Sequence, residues 1–486
     1  MRILLVSFYN TEAYGMRSLH SCLRRDGHDA HMLFFKQEPH QYEVSLKKSI
    51  HGDVNAVTEQ EISLFTSYVD EINPDIVAFS LVSSHFYTFR ILAETLRPLG
   101  RKIAVGGWEA SLNPSRCIPY ADWVCIGEGE EAFCELVARM DLGLNTSDVQ
   151  NFWVRQNGHI IKNPVRPLNQ CISDLPIPLF DNELCTAVEG GRMLPGDPYF
   201  RNDRYGTFIG IGCPFRCTYC SNSYMGDKVY PQEWSRIRIH SVHRMKEELA
   251  CVKQKLLNVK VINFYDEVFS PDAVWRDTFF PWYKKYIGIP FCCTFFPGKC
   301  SEEMCRSLAD SNMVGVWLGV QSGSDRVRRE VFHRYYTNET VLEQAEIFRQ
   351  CSVNVRYDFI LDNPFESFAE SLESVELMLK LPQPFTVNQF SLKYFPHTRI
   401  TDMALQAGII NEAQVNDRQD VWQDNYTVGL EGRSPENGFL NRLVTLISLQ
   451  AKDAQMDSGK IHAAITRFRR DGNMSEVDTQ LQEMLQ

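Results

Sequence analysis

Short apolar runs separated by amphipathic stretches fill the first 140 residues. Arg2–Phe8, Ala30–Phe35, Asp75–Leu81, Lys102–Gly106 and Trp123–Ile126 read as strands, and Met16–Asp26, Glu59–Glu71, Tyr87–Leu96 and Glu130–Met140 as helices. This alternation predicts a doubly wound parallel sheet, whose ligands bind beyond the carboxyl ends of the strands. From Tyr205 a strand–helix unit repeats six times, with strands at Gly206–Gly212, Val259–Tyr265, Ile289–Phe296, Val314–Val320, Val353–Leu361 and Thr386–Phe395. Helices such as His243–Lys255, Ser301–Asp310, Glu339–Gln350 and Ser367–Lys380 lie between them. Right-handed crossovers curl such a sheet into a six-stranded partial TIM barrel with its chemistry at the strands' carboxyl ends.

These patterns divide the chain into an α/β Rossmann-like domain at 1–142, a linker at 143–203, the partial barrel at 204–412 and a helical region at 413–486. The linker is rich in proline, from Pro164 to Pro198, and shows little periodicity. In the tail, Phe439–Leu449 and Ile461–Phe468 read as amphipathic helices that cap the open side of the barrel or form a dimer face.

Composition narrows the partners. The net charge of −11 over 486 residues counts against a nucleic-acid or anionic-membrane partner. No apolar stretch reaches the roughly 20 residues that span a bilayer, and the opening Met1–Phe8 run is too short for a secretory leader. The 15 cysteines are scattered and odd in number, which argues for a reducing compartment, the cytoplasm, rather than a disulfide framework.

Three of those cysteines carry the chemistry. Cys213, Cys217 and Cys220 lie in a loop marked by Gly212 and Pro214, spaced Cys-x-x-x-Cys-x-x-Cys with no fourth cysteine or histidine close behind. Three thiolates can hold three irons of a cubane and leave the fourth open to a ligand; a structural zinc site asks for a fourth protein ligand. The run resembles the signature of radical S-adenosylmethionine (SAM) enzymes, and the resemblance implies a [4Fe-4S] cluster whose open iron is chelated by SAM.

The same resemblance assigns SAM contacts at strand ends. These are Tyr219 beside the adenine, Asp266 and Glu267 after the second barrel strand, and Gln321, Ser322 and Ser324 in a turn similar to the family's Gly-Ile-Glu-Ser-Gly-Ser. Lys299, Lys393 and His397 have no distinctive spacing and read as surface residues. The N-terminal domain resembles the cobalamin-binding domain of cobalamin-dependent radical SAM enzymes. Where methionine synthase-type domains have Asp-x-His-x-x-Gly, this chain has Asn10-Thr11-Glu12-Ala13-Tyr14-Gly15, with Glu12 in place of the cobalt-ligating histidine. Asn10, Glu12, Gly15, Ser80, Ser84, Gly106, Gly107, Gly127 and Gly129 are the cobalamin contacts so implied.

The function implied is methylation of an unactivated carbon in a small molecule or lipid, through a 5′-deoxyadenosyl radical and methylcobalamin, with flavodoxin or ferredoxin as electron donor. Radical cyclisation, ring contraction or oxidation uses the same cofactors without methyl transfer. A transfer-RNA methylthiotransferase calls for an N-terminal cysteine triad and a basic RNA domain, neither of which is found. A non-catalytic cobalamin sensor has no use for the intact Cys213, Cys217 and Cys220.

Overall fold

The computed structural model describes residues 1–37, 57–416 and 434–485. The first strand, β1 (Arg2–Tyr9), buries every residue after Arg2, as a central parallel strand covered on both faces does. It pairs in parallel with β2 (Asp29–Gln37) on one side and β3 (Ile76–Ser80) on the other; β4 (Lys102–Gly106) and β5 (Trp123–Cys125) continue the parallel order. Alternate side chains feed two cores. Leu4, Val6 and Phe8 pack with Phe65, Val69 and Phe89 of the helices Glu59–Ile72 and Phe86–Leu96. Ile3 and Leu5 pack with Leu23 and Leu136 of the helices Tyr14–Arg25 and Glu130–Asp141. Sequence periodicity locates all of these elements to within about two residues, the usual end uncertainty.

The linker departs from expectation. Within 143–203 lie four strands, β6 (Phe152–Gln156), β7 (His159–Lys162), β8 (Cys185–Glu189) and β9 (Arg192–Pro195). The β6–β7 hairpin joins the β5 edge and the β8–β9 hairpin joins the β2 edge, giving a nine-stranded sheet in the order β7-β6-β5-β4-β3-β1-β2-β8-β9. The segment is therefore part of the sheet. Its strands escape pattern reading because they are short and β7 is exposed along its whole length.

The barrel begins at β10 (Arg204–Thr207), shorter than the expected Gly206–Gly212 strand. Residues beyond it form β11 (Gly210–Ile211), which pairs antiparallel with β12 (Arg238–Ile239). With β13 (Val261–Phe264), β14 (Phe291–Phe295), β15 (Met313–Gln321), β16 (Asn354–Leu361) and β17 (Phe385–Ser391), β10 forms a six-stranded, all-parallel sheet in chain order. The outer helices start on side-chain caps: Ser241, Asp272, Ser301, Thr337 and Ser367 each accept a backbone N–H of the first turn. In the tail, the helix Pro435–Lys452 packs on β17. Ser448 Oγ accepts the Val387 N–H at 2.8 Å, and Phe439 stacks on Phe468 of the next helix, Ser458–Asp471, at 4.1 Å between ring centres.

Buried polar pairs join the two sheets. Tyr14, on the first helix, donates to Glu248 at 3.3 Å; Glu248 also accepts from Tyr205 at 2.8 Å and Arg244 at 2.7 Å. Arg238 on β12 grips Glu128 with both Nη atoms, and Tyr230 Oη accepts the Glu128 N–H at 2.9 Å. The turn after β5 is thereby fixed to the barrel.

Candidate functional site

The carboxyl ends of both sheets face one cavity of ≈ 350 Å³. From the N-terminal sheet it is lined by Gly15, Ser80, Gly106, Gly107, Gly127 and Gly129, six of the nine residues expected to contact cobalamin. From the barrel side come Phe208, Gly210–Gly212, Trp234, His240 and Glu267. Gly107 sits at φ +93°, and a Cβ there would lie 2.6 Å from the Leu81 carbonyl; at Gly127, φ +80°, it would overlap the Tyr230 hydroxyl. Gly15 is different: its Cβ would meet nothing within 4 Å, so the glycine leaves room on the cavity side. A floor of glycine, alanine and serine backbone is what a broad, flat ligand requires, and these residues fit a corrin.

Asn10, Glu12 and Ser84, also expected to contact cobalamin, lie off the cavity lining. The Asn10 Oδ1 accepts the N–H groups of Glu12 (2.8 Å) and Ala13 (3.1 Å), closing an Asx turn with Ala13 at φ +37°. That turn sends the Glu12 carboxylate toward the barrel, beside Gly206 and in a hydrogen bond with Tyr265. Burial raises its pKa. Glu12 thus braces the contact between the two domains. Ser84 belongs to the short turn Ser83–His85.

Cys213 and Cys217 are buried and Cys220 is half-buried. The Cys213 N–H bonds to Trp234 O at 3.1 Å, and Gly212 before it takes φ +123° against the Trp234 and Arg236 backbone. The Cys220 N–H bonds to Cys217 O at 3.2 Å, curling the loop on itself. Two donors approach the sulfurs: Asn222 Nδ2 lies 3.7 Å from Cys220 Sγ, and Arg334 Nη1 lies 3.5 Å from Cys217 Sγ. Burial pushes the Cys213 thiol up to about 12. A metal that takes the thiolate must supply the charge that removes this proton. Among the described residues no three His, Cys, Asp or Glu side chains converge as ligands of a single ion. Cubane ligation spreads its thiolates over separate irons, and this loop fits it.

The expected SAM contacts separate into two groups. Glu267 opens into the cavity, and burial raises its pKa. Tyr219 packs edge-on to Phe332 with its hydroxyl 3.3 Å from Arg334. Asp266 instead turns inward: its two oxygens accept the N–H groups of Ile209 (3.1 Å) and Gly210 (2.6 Å), and burial pushes it up to about 7. It braces the approach to Cys213 through these two backbone bonds. Gln321 sits at φ +71° where β15 slips register against β16. Ser322 and Ser324 are buried within the turn; Ser322 Oγ donates to Glu366 at 2.9 Å and accepts the Ser324 N–H at 3.1 Å.

Lys393 is buried, not a surface residue, whereas Lys299 and His397 are exposed. Two residues have no sequence signal at all. Arg334 reaches the cysteine loop from beyond β15. His240 is 2% exposed, lines the cavity, and has neither ring nitrogen hydrogen-bonded. Burial lowers its pKa to about 4, so it presents a neutral imidazole.

This geometry agrees with the comparisons. The B12 binding domain family matches residues 2–137 and the radical SAM superfamily matches 207–378, in that order. The chain belongs to the cobalamin-dependent radical SAM enzymes, whose cofactors are a [4Fe-4S] cluster, SAM and cobalamin. An uncharacterized methyltransferase of Pyrococcus horikoshii is 25% identical over 377 residues, covering 75% of this chain and 76% of that one. Cytidylyl-2-hydroxyethylphosphonate methyltransferase of Streptomyces wedmorensis is 19% identical over 393 residues, 74% of this chain and 71% of that one. The fold matches TsrM from Kitasatospora setae, a radical SAM methyltransferase solved with tryptophan and a SAM analogue, at TM-score 0.66 and 15% identity over 85% of this chain and 77% of that one. It also matches OxsB, solved with aqua-cobalamin and SAM, at TM-score 0.65 and 14% identity over 98% of this chain and 71% of that one. No helix among the described residues is long and apolar enough to cross a membrane.

Proposed function

We propose that this enzyme transfers a methyl group to an unactivated carbon of a small molecule or lipid, in the cytoplasm, with flavodoxin or ferredoxin as its electron source. The observation that carries this reading is the cavity between a glycine floor and the residues leading into Cys213. When bound, the cofactors supply a 5′-deoxyadenosyl radical and a cobalt-borne methyl group; the protein's share is placement and exclusion of water. Cys213, Cys217 and Cys220 would hold three irons. Tyr219, Glu267 and the Gln321–Ser324 turn would receive SAM, and Gly15, Ser80, Gly106, Gly107, Gly127 and Gly129 would make room for the corrin. Trp108, Phe133, Phe208 and Trp234 give the cavity apolar walls, which suit an apolar substrate portion. His240 offers one hydrogen-bond donor and one acceptor to a polar group of whatever lies there.

Anaerobic reconstitution with iron, sulfide and cobalamin, followed by incubation with methyl-labelled SAM and candidate substrates, tests the reading. Label in a product one methylene heavier than substrate is expected. A substrate-derived product lacking that label would sink methyl transfer and leave cyclisation or oxidation.

A further inference from the structure

Arg334 is 7% exposed, and among the described residues no carboxylate forms an ion pair with it. Its donors are fixed otherwise. Nη2 bonds to Gly319 O at 2.5 Å and Nε to Tyr336 Oη at 3.3 Å; Nη1 bonds to Tyr219 Oη at 3.3 Å and to Cys217 Sγ at 3.5 Å. The guanidinium lies over the Phe296 ring, 4.2 Å from its centre. Asp358, whose ionisation feels Arg334, is hydrogen-bonded to Asn388 at 2.9 Å.

A buried guanidinium without a counter-charge is costly, by several kcal/mol on the usual scale for buried ions. One carbonyl oxygen, two tyrosine hydroxyls and an aromatic face offset part of that cost and leave the net charge standing. One of its hydrogen-bond partners is Cys217 of the Cys-x-x-x-Cys-x-x-Cys loop, at 3.5 Å. A cubane held by three thiolates is anionic and gains one further negative charge on one-electron reduction, and hydrogen bonds to its sulfurs are among the levers that set its potential.

We infer that Arg334 is the resident counter-cation of the cluster and raises its reduction potential, stabilising the reduced form from which an external one-electron donor's electron is passed on. This rests on the cluster assignment made above. Arg334 is a positioning residue, acting on the cluster through Cys217.

The test uses the full chain reconstituted anaerobically, as wild type, Arg334→Gln, Arg334→Met and Arg334→Lys, with iron and sulfide counted and the midpoint read by EPR-monitored titration with dithionite. The neutral variants should titrate at a more negative potential than wild type, with Arg334→Lys between. If neither neutral variant loads iron while Arg334→Lys does, the requirement is for charge and the inference stands. A fully loaded neutral variant with the wild-type midpoint would overturn it. So would failure of all three variants to load, which assigns the guanidinium to packing alone. Wild-type protein that takes up no cluster fails the underlying cluster assignment instead, so the two failures are distinct.

Discussion

Arg17 and Asp197 face each other as a bidentate ion pair, Nη1 to Oδ2 and Nη2 to Oδ1 both at 2.7 Å, with side-chain exposures of 1% and 0%. Arg17 also bonds to the carbonyls of Thr11 (2.9 Å) and Glu12 (3.0 Å) and stacks over Tyr199. The pair therefore ties the loop after β1 to the chain entering the barrel. Replacing Asp197 with Ala strands a buried cation, and should cost about 3–5 kcal/mol of stability in denaturant titration. Arg17→Met with Asp197→Leu, which removes both charges, should cost less than the single change. A double variant as unstable as the single one would show that the hydrogen bonds to the loop outweigh the pair.

Asp266→Ala should loosen the Ile209–Gly210 backbone ahead of Cys213 and lower iron content after reconstitution several-fold, while cobalamin uptake stays near wild type. Asp266→Asn keeps one acceptor and should fall between. Equal iron loading in the alanine variant would show that the two backbone bonds are dispensable for the cysteine loop.

Glycine substitutions separate shape from stability in the cavity floor. Gly15→Val points into open space and should leave the melting temperature within a few degrees while weakening cobalamin uptake, read from its visible absorbance. Gly107→Ala forces a Cβ against Leu81 at φ +93°, and should lower the melting temperature as well, by about 1–3 kcal/mol of strain. If Gly15→Val binds cobalamin as wild type does, the corrin does not occupy that side of the cavity.

Acid sensitivity follows from buried imidazoles. Burial lowers His20 and His240 from 6.5 to about 4. Between those values the unfolded chain binds protons that the native chain does not, so stability falls as pH drops from 6.5 to about 4 and levels off below. Asp266 and Glu130, pushed up to about 7 by burial, act in the opposite sense, since the native chain then holds the extra protons below pH 7. Thermal melts across this range should show a flatter acid limb in the combined His20→Gln and His240→Gln variant. An unchanged limb would place the sensitivity elsewhere.

What pattern reading reached, and what it missed, have physical causes. Central strands such as β1 and β4 are covered on both faces, so apolar runs mark them, and the helix Glu59–Ile72 opens on a capping box at Thr58. Cys213, Cys217 and Cys220 are local in sequence and were readable as a unit. The direction of Glu12 was not legible because alignment of loop positions says nothing of it; the left-handed Ala13 with the Asx turn at Asn10 sends the side chain toward the barrel. Arg334 and His240 reach the site through tertiary packing alone; neither has a spacing relation to the cysteines. The helix Ala273–Tyr286, with Pro281 inside it and bulky aromatics around its face, gave no clear amphipathic period.

The two hairpins added to the N-terminal sheet bear on how this protein can be divided. A fragment ending at residue 142 leaves the outer edges of β5 and β2 bare. Unpaired parallel edges recruit other chains. A fragment beginning at 204 discards Asp197 and leaves Tyr205 without the Tyr199 and Phe180 rings that pack against it. Neither half is a self-sufficient building block for recombination, and a chimera that swaps barrels between relatives must carry residues 143–203 along with the N-terminal sheet.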